Sequence, residues 1–412
     1  MTSTPSSQHF TTGQTVSIIG AGVMGREIAA AAARAGMTVR LSDSNLAVAA
    51  DAVQQILSLH ESRVGQHLRL VEPGAGPEIS VATDDTEIAD ADLVIEAVTE
   101  NLAIKSAILS RIEPQLRSGA IFASNSSSLS LTQLSKVLQT PGRFCGLHFC
   151  HPVSERPLVE VIYTDTTTSD TLNRVNAFAT SLRMAPIIIR DSPGFLLNRL
   201  LVPYLNEALE LLLEGADIES LDRAAAAFGM PQGPLALFDE FGIDVAIAVG
   251  RSLYQAYPER IVPSELLIAI YKSGRLGRKA GGGFYPTQTD AREGRVDPKV
   301  LDLIRERRRS NCPLSDSVIS RRLFVPVLLE ATRILQEKLV DSPSAIDAAL
   351  RRGLGMRCPN SGIFSWANAI GARTLLDWLK PLHSLGQRFE PTQLLFGAAK
   401  CTKESPEIAG AA

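Results

Sequence analysis

Residues 16–43 carry the pattern that most limits what this chain can fold into. Val16 to Ile19 is a short β-branched run that ends on Gly20-Ala-Gly-Val-Met-Gly25. An alanine-rich stretch, Glu27 to Ala35, follows with strong helix propensity and closes at Gly36. Thr38 to Leu41 reads as a second strand, and Asp43 comes 18 residues after the last glycine of the motif. Strand, G-x-G-x-x-G, helix, strand and acid in that order predict a dinucleotide-binding unit. Gly20 makes the tight turn, Gly22 admits the pyrophosphate and Gly25 lets helix and strand pack closely. Val23 and Met24 then open the helix whose N-terminal amides favour an anion. Asp43 accepts hydrogen bonds from ribose hydroxyls and repels a 2′-phosphate, so NAD is expected over NADP.

The alternation continues. Asp92 to Val98 is a buried-strand run, and Glu100-Asn-Leu-Ala-Ile-Lys105 opens a helix. Ala120 to Ala123, Phe144 to Phe149 and Leu158 to Tyr163 are further strand candidates. Strands alternating with helices predict an α/β Rossmann-type doubly wound domain, placed at residues 14–192. Ligands of such sheets lie at the carboxyl ends of the strands, where Glu100, Ser127 and His148 fall.

A chain of 412 residues exceeds one compact core, so two or three domains are expected. A net charge of −3 gives no reason to expect nucleic acid as a partner. Within the basic run Arg305 to Arg309, Glu306 interrupts the charge, and the run reads as a solvated link. Five cysteines without a C-x-x-C pair argue for a reducing compartment and against a metal site. The Ser/Thr-rich first 14 residues match neither a secretory nor a transit pattern, and no stretch is long enough to span a membrane. A cytoplasmic protein is expected.

Oxidising an alcohol with NAD needs a base for the hydroxyl proton, and histidine titrates near neutrality. Of six histidines, His148 and His151 sit together after a strand and are followed by a strand carrying Glu160. A carboxylate on one ring nitrogen is the pairing such a base requires. Spacing alone leaves open which histidine is the base, and also that both simply pack a strand end.

Three further segments accompany the glycine motif: Ser124-Asn-Ser-Ser-Ser-Leu129, Gly146-Leu-His-Phe149 with Pro157 to Val161, and Asp191-Ser-Pro-Gly-Phe-Leu-Leu-Asn-Arg199. From about residue 14 to its end the chain resembles the 3-hydroxyacyl-CoA dehydrogenase family. It is most similar to the dehydrogenase portion of the multifunctional fatty-acid oxidation α subunits, without the fused hydratase domain. The resemblance implies NAD-dependent oxidation of (S)-3-hydroxyacyl-CoA to 3-oxoacyl-CoA, in fatty-acid β-oxidation or related acyl-CoA metabolism. It implies an acyl-CoA thioester as substrate, with hydratase and thiolase partners. His148 is implied as the catalytic base, Glu160 as its orienting carboxylate, Ser127 beside the substrate hydroxyl and nicotinamide, and Asn198 on the substrate's polar groups. Glu100, Lys105 and Lys279 match cofactor contacts. One position departs from the family pattern: His151 stands where the family usually has an asparagine next to the cofactor.

After Pro193 the chain turns helical and repeats itself. Arg199-Leu-Leu-Val-Pro203 recurs as Arg322-Leu-Phe-Val-Pro326, and Glu207-Ala208 as Glu330-Ala331. Leu221-Asp222 matches Ile346-Asp347, and Gly242 matches Gly371. Two all-α, duplicated domains are expected at 193–304 and 312–402, the second a degenerate copy in which Asn198 becomes Arg321. A copy that supplies its own packing partner predicts a monomer. Two other readings compete: a dehydrogenase of another 3-hydroxy acid, and a non-catalytic NAD-binding structural or sensing protein.

Overall fold

The computed structural model describes residues 13–66, 78–287, 293–400 and 408. They belong to two compact units, Met1–Ser192 and Pro193–Ala412. None of the described helices is long and apolar enough to cross a membrane.

The first unit runs β1 (Thr15–Ile19), α1 (Val23–Arg34), β2 (Thr38–Ser42), α2 (Leu46–Gln66), β3 (Ile79–Val81), α3 (Asp85–Ala89), β4 (Leu93–Glu96) and α4 (Leu102–Ile112). It continues with β5 (Ile121–Ser124), α5 (Leu131–Ser135), β6 (Phe144–Phe149), β7 (Leu158–Tyr163), α6 (Ser169–Ser181) and β8 (Ala185–Arg190). The eight strands form one sheet in the order β3-β2-β1-β4-β5-β6-β7-β8. Every neighbouring pair is parallel except β6 and β7. Strands β4, β5 and β6 are buried at every position, as expected where helices cover both faces of a parallel sheet. Strand order reverses between β1 and β4, which puts the ligand crevice at their carboxyl ends. This is the expected doubly wound architecture, with β3 and β8 added at the two edges.

The second unit is helical: α7 (Leu197–Leu213), α8 (Ile218–Ala227), α9 (Pro234–Phe241), α10 (Ile243–Ala256), α11 (Glu265–Lys272) and α12 (Pro298–Arg307). Then come α13 (Asp316–Gln336), α14 (Pro343–Leu354), α15 (Ile363–Ile370), α16 (Ala372–Leu379) and α17 (Gln393–Lys400). The stretch expected as a solvated link is exposed at Arg305, Glu306, Arg308 and Arg309, and it is also ordered. Arg305 and Arg307 end α12, while Arg309 donates to Glu210 and Arg308 to the carbonyl of Ala216. The guanidinium groups satisfy carboxylate and carbonyl oxygens at the end of α7, which charge counting along the chain cannot reveal.

The two long helices α7 and α13 exchange charges reciprocally. Arg199 donates to Glu330 at 2.8 Å and to Glu337 at 2.5 Å, and Arg322 donates to Glu207 at 2.6 Å and to Glu214 at 2.8 Å. Both arginines, Glu207 and Glu330 are buried. The partners run in opposite directions along the two helices, so α7 and α13 cross antiparallel.

One pair of matching, half-buried acids shows how the repeat has diverged. Asp347 accepts from the backbone N–H of Ile363, the first residue of α15. The matching helix α9 opens on Pro234, which has no N–H to give. Asp222 Oδ1 is left without a hydrogen-bond partner among the described residues, and burial pushes its carboxyl up to about 6 from an ordinary 3.8. A raised acid favours the folded state while it is protonated. That stability is fully present below the unfolded value of 3.8 and is lost as pH rises through about 6. At one pKa unit per ~1.4 kcal/mol, the loss is roughly 3 kcal/mol. Asp222→Asn, a mimic of the neutral form, is therefore expected to gain stability over the unmodified chain as pH rises from 4 to 7.5. Urea unfolding across that range checks this, and a difference that stays constant with pH would contradict it.

Candidate active site

The glycine loop is shaped by contacts that no side chain would survive. Gly20 has φ +107°, and a Cβ on it would lie 2.6 Å from the carbonyl oxygen of Ala97. A Cβ on Gly25 would lie 1.8 Å from the carbonyl oxygen of Gly20, whereas Gly22 faces open space. No side chain caps the N-terminus of α1 at Gly22, so its first amides, at Val23 and Met24, stay available to an anion. A cleft of about 550 Å³ opens here, lined by Gly20, Gly22, Asp43, Val98 and Thr99 among others. Asp43 is fixed at the end of β2: its carboxylate accepts from the N–H of Ala21 at 2.9 Å and of Asn45 at 3.0 Å. An open amide cradle with an acid at the far end fits a dinucleotide carrying free ribose hydroxyls.

Glu100 and Lys105 lie next to this cleft but face inward. One oxygen of Glu100 accepts from the hydroxyls of Ser126 and Ser128 at 2.7 and 2.9 Å and from the amides of Ser127 and Ser128 at 2.9 and 2.7 Å. Burial opposes its charge, but Lys105 and the serine donors outweigh burial and hold the carboxyl below its ordinary value. Lys105 is buried, 2.7 Å from Glu96 and 3.5 Å from Glu100, and it also donates to the carbonyl of Val98. Asn101 caps α4, which turns Lys105 toward the sheet. Lys105, implied by the resemblance as a cofactor contact, thus sits beneath the loop, and its charge ties Glu96 to Glu100. Glu96 was not foreseen. It also accepts from Ser124 Oγ, and the signal that could have found it is its lone charge inside the apolar run Leu93 to Val98.

His148 and Glu160 are directly opposite each other on the antiparallel strands β6 and β7. Nδ1 of His148 lies 2.5 Å from Glu160 Oε2, and both residues are buried. A carboxylate can only accept, so the neutral ring carries its proton on Nδ1 and keeps Nε2 basic. Asn125 steadies the turn that follows by accepting from the N–H of Phe149 at 3.0 Å. His151 sits on that turn with Nδ1 3.2 Å from Glu27 of α1, which also accepts from the N–H of Val153 at 2.7 Å. Burial raises the Glu27 carboxyl, but its bonds to His151 and Val153 outweigh this and leave it below the ordinary value. Glu27 was likewise missed, since the sequence gives it only as a helix residue.

The remaining candidates belong to the helical unit. Asn198 is in the first turn of α7, partly exposed, in the wall of an apolar cavity. Lys279 is paired with Asp244 at 2.6 Å near the start of α10.

Comparison with known proteins gives the same assignment across the chain. Residues 15–192 match the 3-hydroxyacyl-CoA dehydrogenase NAD binding domain, and residues 194–287 and 318–403 match the 3-hydroxyacyl-CoA dehydrogenase C-terminal domain. A crystal structure of 3-hydroxybutyryl-CoA dehydrogenase from Escherichia coli is similar over 94% of this chain and 98% of that one, with 26% identity and a TM-score of 0.79. The (S)-3-hydroxybutyryl-CoA dehydrogenase of Ralstonia eutropha is 37% identical over 66% of this chain and 98% of its own, with a TM-score of 0.61. NAD is the cofactor that the first domain indicates. With both domains matched and the glycine cradle intact, the chain belongs to the 3-hydroxyacyl-CoA dehydrogenase family.

Proposed function

We propose that this chain oxidises (S)-3-hydroxyacyl-CoA thioesters to 3-oxoacyl-CoA, with His148 as the base. The observation that carries the reading is the buried His148–Glu160 contact at 2.5 Å. When bound, NAD supplies the hydride acceptor. His148 takes the hydroxyl proton at Nε2 as the hydride leaves carbon 3, and Glu160 neutralises the imidazolium that forms. Ser127 holds the hydroxyl, while Glu100 and Lys105 act through the Ser126–Ser128 loop that positions it. His151, on a turn fixed by Glu27, would contact the cofactor, and the roles of Asn198 toward substrate and of Lys279 toward cofactor are what the family resemblance implies. The chemistry places the enzyme after a hydratase that makes 3-hydroxyacyl-CoA and before a thiolase that cleaves 3-oxoacyl-CoA. A duplicated helical domain makes the chain a monomer. The buried base with its carboxylate favours this over a non-catalytic NAD-binding role.

The direct test is NADH formation from 3-hydroxyacyl-CoA by the purified chain. A protein that binds NADH yet oxidises none of these thioesters would refute the assignment. Asp43 adds a second expectation. Its carboxylate opposes a 2′-phosphate, and like charges in contact cost several kcal/mol, so kcat/KM should favour NAD over NADP by about 10²-fold. Equal use of both cofactors would remove Asp43 from the ribose site.

A further inference from the structure

The geometry points to a binding site for one chloride-sized anion between the two helical copies, held by Arg260, Arg333 and Arg388. A hollow of about 20 Å³ is lined there by Pro203 of α7 and Pro326 of α13, the matching prolines of the repeat. Its charged lining groups among the described residues are Arg260, Arg333, Arg388 and Glu330, three cations against one carboxylate.

Two of the cations play matching parts. Arg260 lies 3.9 Å over the ring of Tyr257 and donates to Glu330 of the second copy at 3.3 Å. Arg388 lies 5.1 Å over the ring of Phe389 and donates to Glu207 of the first copy at 2.5 Å. The third cation breaks the symmetry. Arg333 follows Glu330 by three residues, as Glu210 follows Glu207. Glu210 is engaged by Arg309, whereas Arg333 donates to Glu330 at 3.3 Å and to the carbonyls of Gln387 and Glu390 at 3.3 and 3.2 Å. Where the repeat calls for an acid, this chain carries a base.

Negative charge is therefore short inside the network. Arg199, Arg260, Arg322, Arg333 and Arg388 are at most 20% exposed in their side chains. Only Glu207 and Glu330 are buried with them, while Glu214, Glu259 and Glu337 are 26%, 42% and 41% exposed and meet water. Glu330 alone serves Arg199, Arg260 and Arg333. Arg260 Nε is buried and, although 3.2 Å from Glu330, is out of line for a hydrogen bond and has no partner among the described residues. A buried donor of this kind calls for an ion or a water. Arg333 registers the same deficit: burial, with Arg260 and Arg199 nearby, holds its guanidinium below the ordinary value in spite of Glu330. One monovalent anion offsets the crowding. A space of roughly 10–15 Å³ admits one water-sized particle, so chloride fits here and sulfate, phosphate or a carboxylate does not. Bound there, it ties the first copy, through Arg260, to the second, through Arg333 and Arg388, and so stabilises the folded helical unit.

The test compares thermal unfolding of the full chain in sodium chloride and in sodium gluconate at equal ionic strength, since gluconate is too large to enter. Chloride at about nine times its dissociation constant favours the folded state about tenfold, which raises Tm by roughly 3–5 °C for a unit of about 200 residues. The expected result is a rise of this order in chloride, retained in Arg333→Lys and lost in Arg333→Met. Equal Tm values in the two salts, or a difference that survives Arg333→Met, would overturn the proposal. Crystals of the unmodified chain grown in bromide decide the matter should Arg333→Met not fold. An anomalous peak in contact with Arg260, Arg333 and Arg388 supports the site. Water in its place rejects it, as does bromide there without any halide effect on Tm, an adventitious ion only.

Discussion

His148→Gln is expected to lower kcat by about 10²–10⁴-fold, the range that a positioned general base contributes, with NAD binding little changed. Glutamine keeps the size and polarity of the site but cannot take a proton. Glu160→Gln is expected to impair turnover as well. Its amide can still face Nδ1, but the imidazolium formed during the reaction loses the charge that now lies 2.5 Å away. His151→Asn is expected to be the mild change, since His151 is engaged with Glu27 at the half-exposed mouth of its turn. Steady-state kinetics on the three variants, with NADH binding followed by fluorescence, decide the assignment. A crippled His151→Asn beside a nearly normal His148→Gln would move the base to the other histidine.

The parts of this site that the sequence disclosed are those fixed by local chemistry. Gly20, Gly22 and Gly25 could be read because their spacing lies within one short loop, although the group that crowds Gly20 is Ala97, far along the chain, and Gly22 faces open space. His148 and Glu160 could be paired only as candidates, because twelve residues of spacing do not set strand register. Antiparallel pairing of β6 with β7 puts them opposite each other. Lys105 shows the limit of carrying residues over by motif: the motif gives a position in the chain, while the buried carboxylate of Glu96 beneath the loop engages its ammonium. β8 escaped notice because Pro186 interrupts its apolar run, and a proline is tolerated there because the strand is at the sheet's edge. β3 has three residues, too few to show a period. The repeat was legible as matching words, but not that its arginines and glutamates would bind each other.

That exchange of charges leads to the second large effect. Arg199→Met is expected to destabilise the full chain by about 1–3 kcal/mol, because it removes the main counter-charge of buried Glu330 and leaves that carboxylate to Arg260 and Arg333. Burial disfavours the ionised Glu330, and Arg199 is the first of the cations that hold its carboxyl below the ordinary value. The full chain is expected to stay a monomer of 44.3 kDa, since residues after 310 already cover α7. Its first copy, however, holds a complete self-complementary set. Glu207 and Glu214 stand to Arg199 at the same spacing as Glu330 and Glu337 stand to Arg322. Across a two-fold axis, Arg199 of one chain could therefore meet Glu207 and Glu214 of another, as Arg322 meets them within this chain. A chain ending at residue 310 is expected to dimerise or aggregate through the uncovered face of α7, and Arg199→Glu is expected to block the dimer by facing like charges. Combining Arg199→Glu with Glu207→Arg restores opposite charges across the axis and should restore much of the association. Light scattering on these chains, with urea unfolding of the full-length variant, tests each step. A full-length dimer, or a shortened chain that remains monomeric and soluble, would show that the second copy does something other than replace a partner.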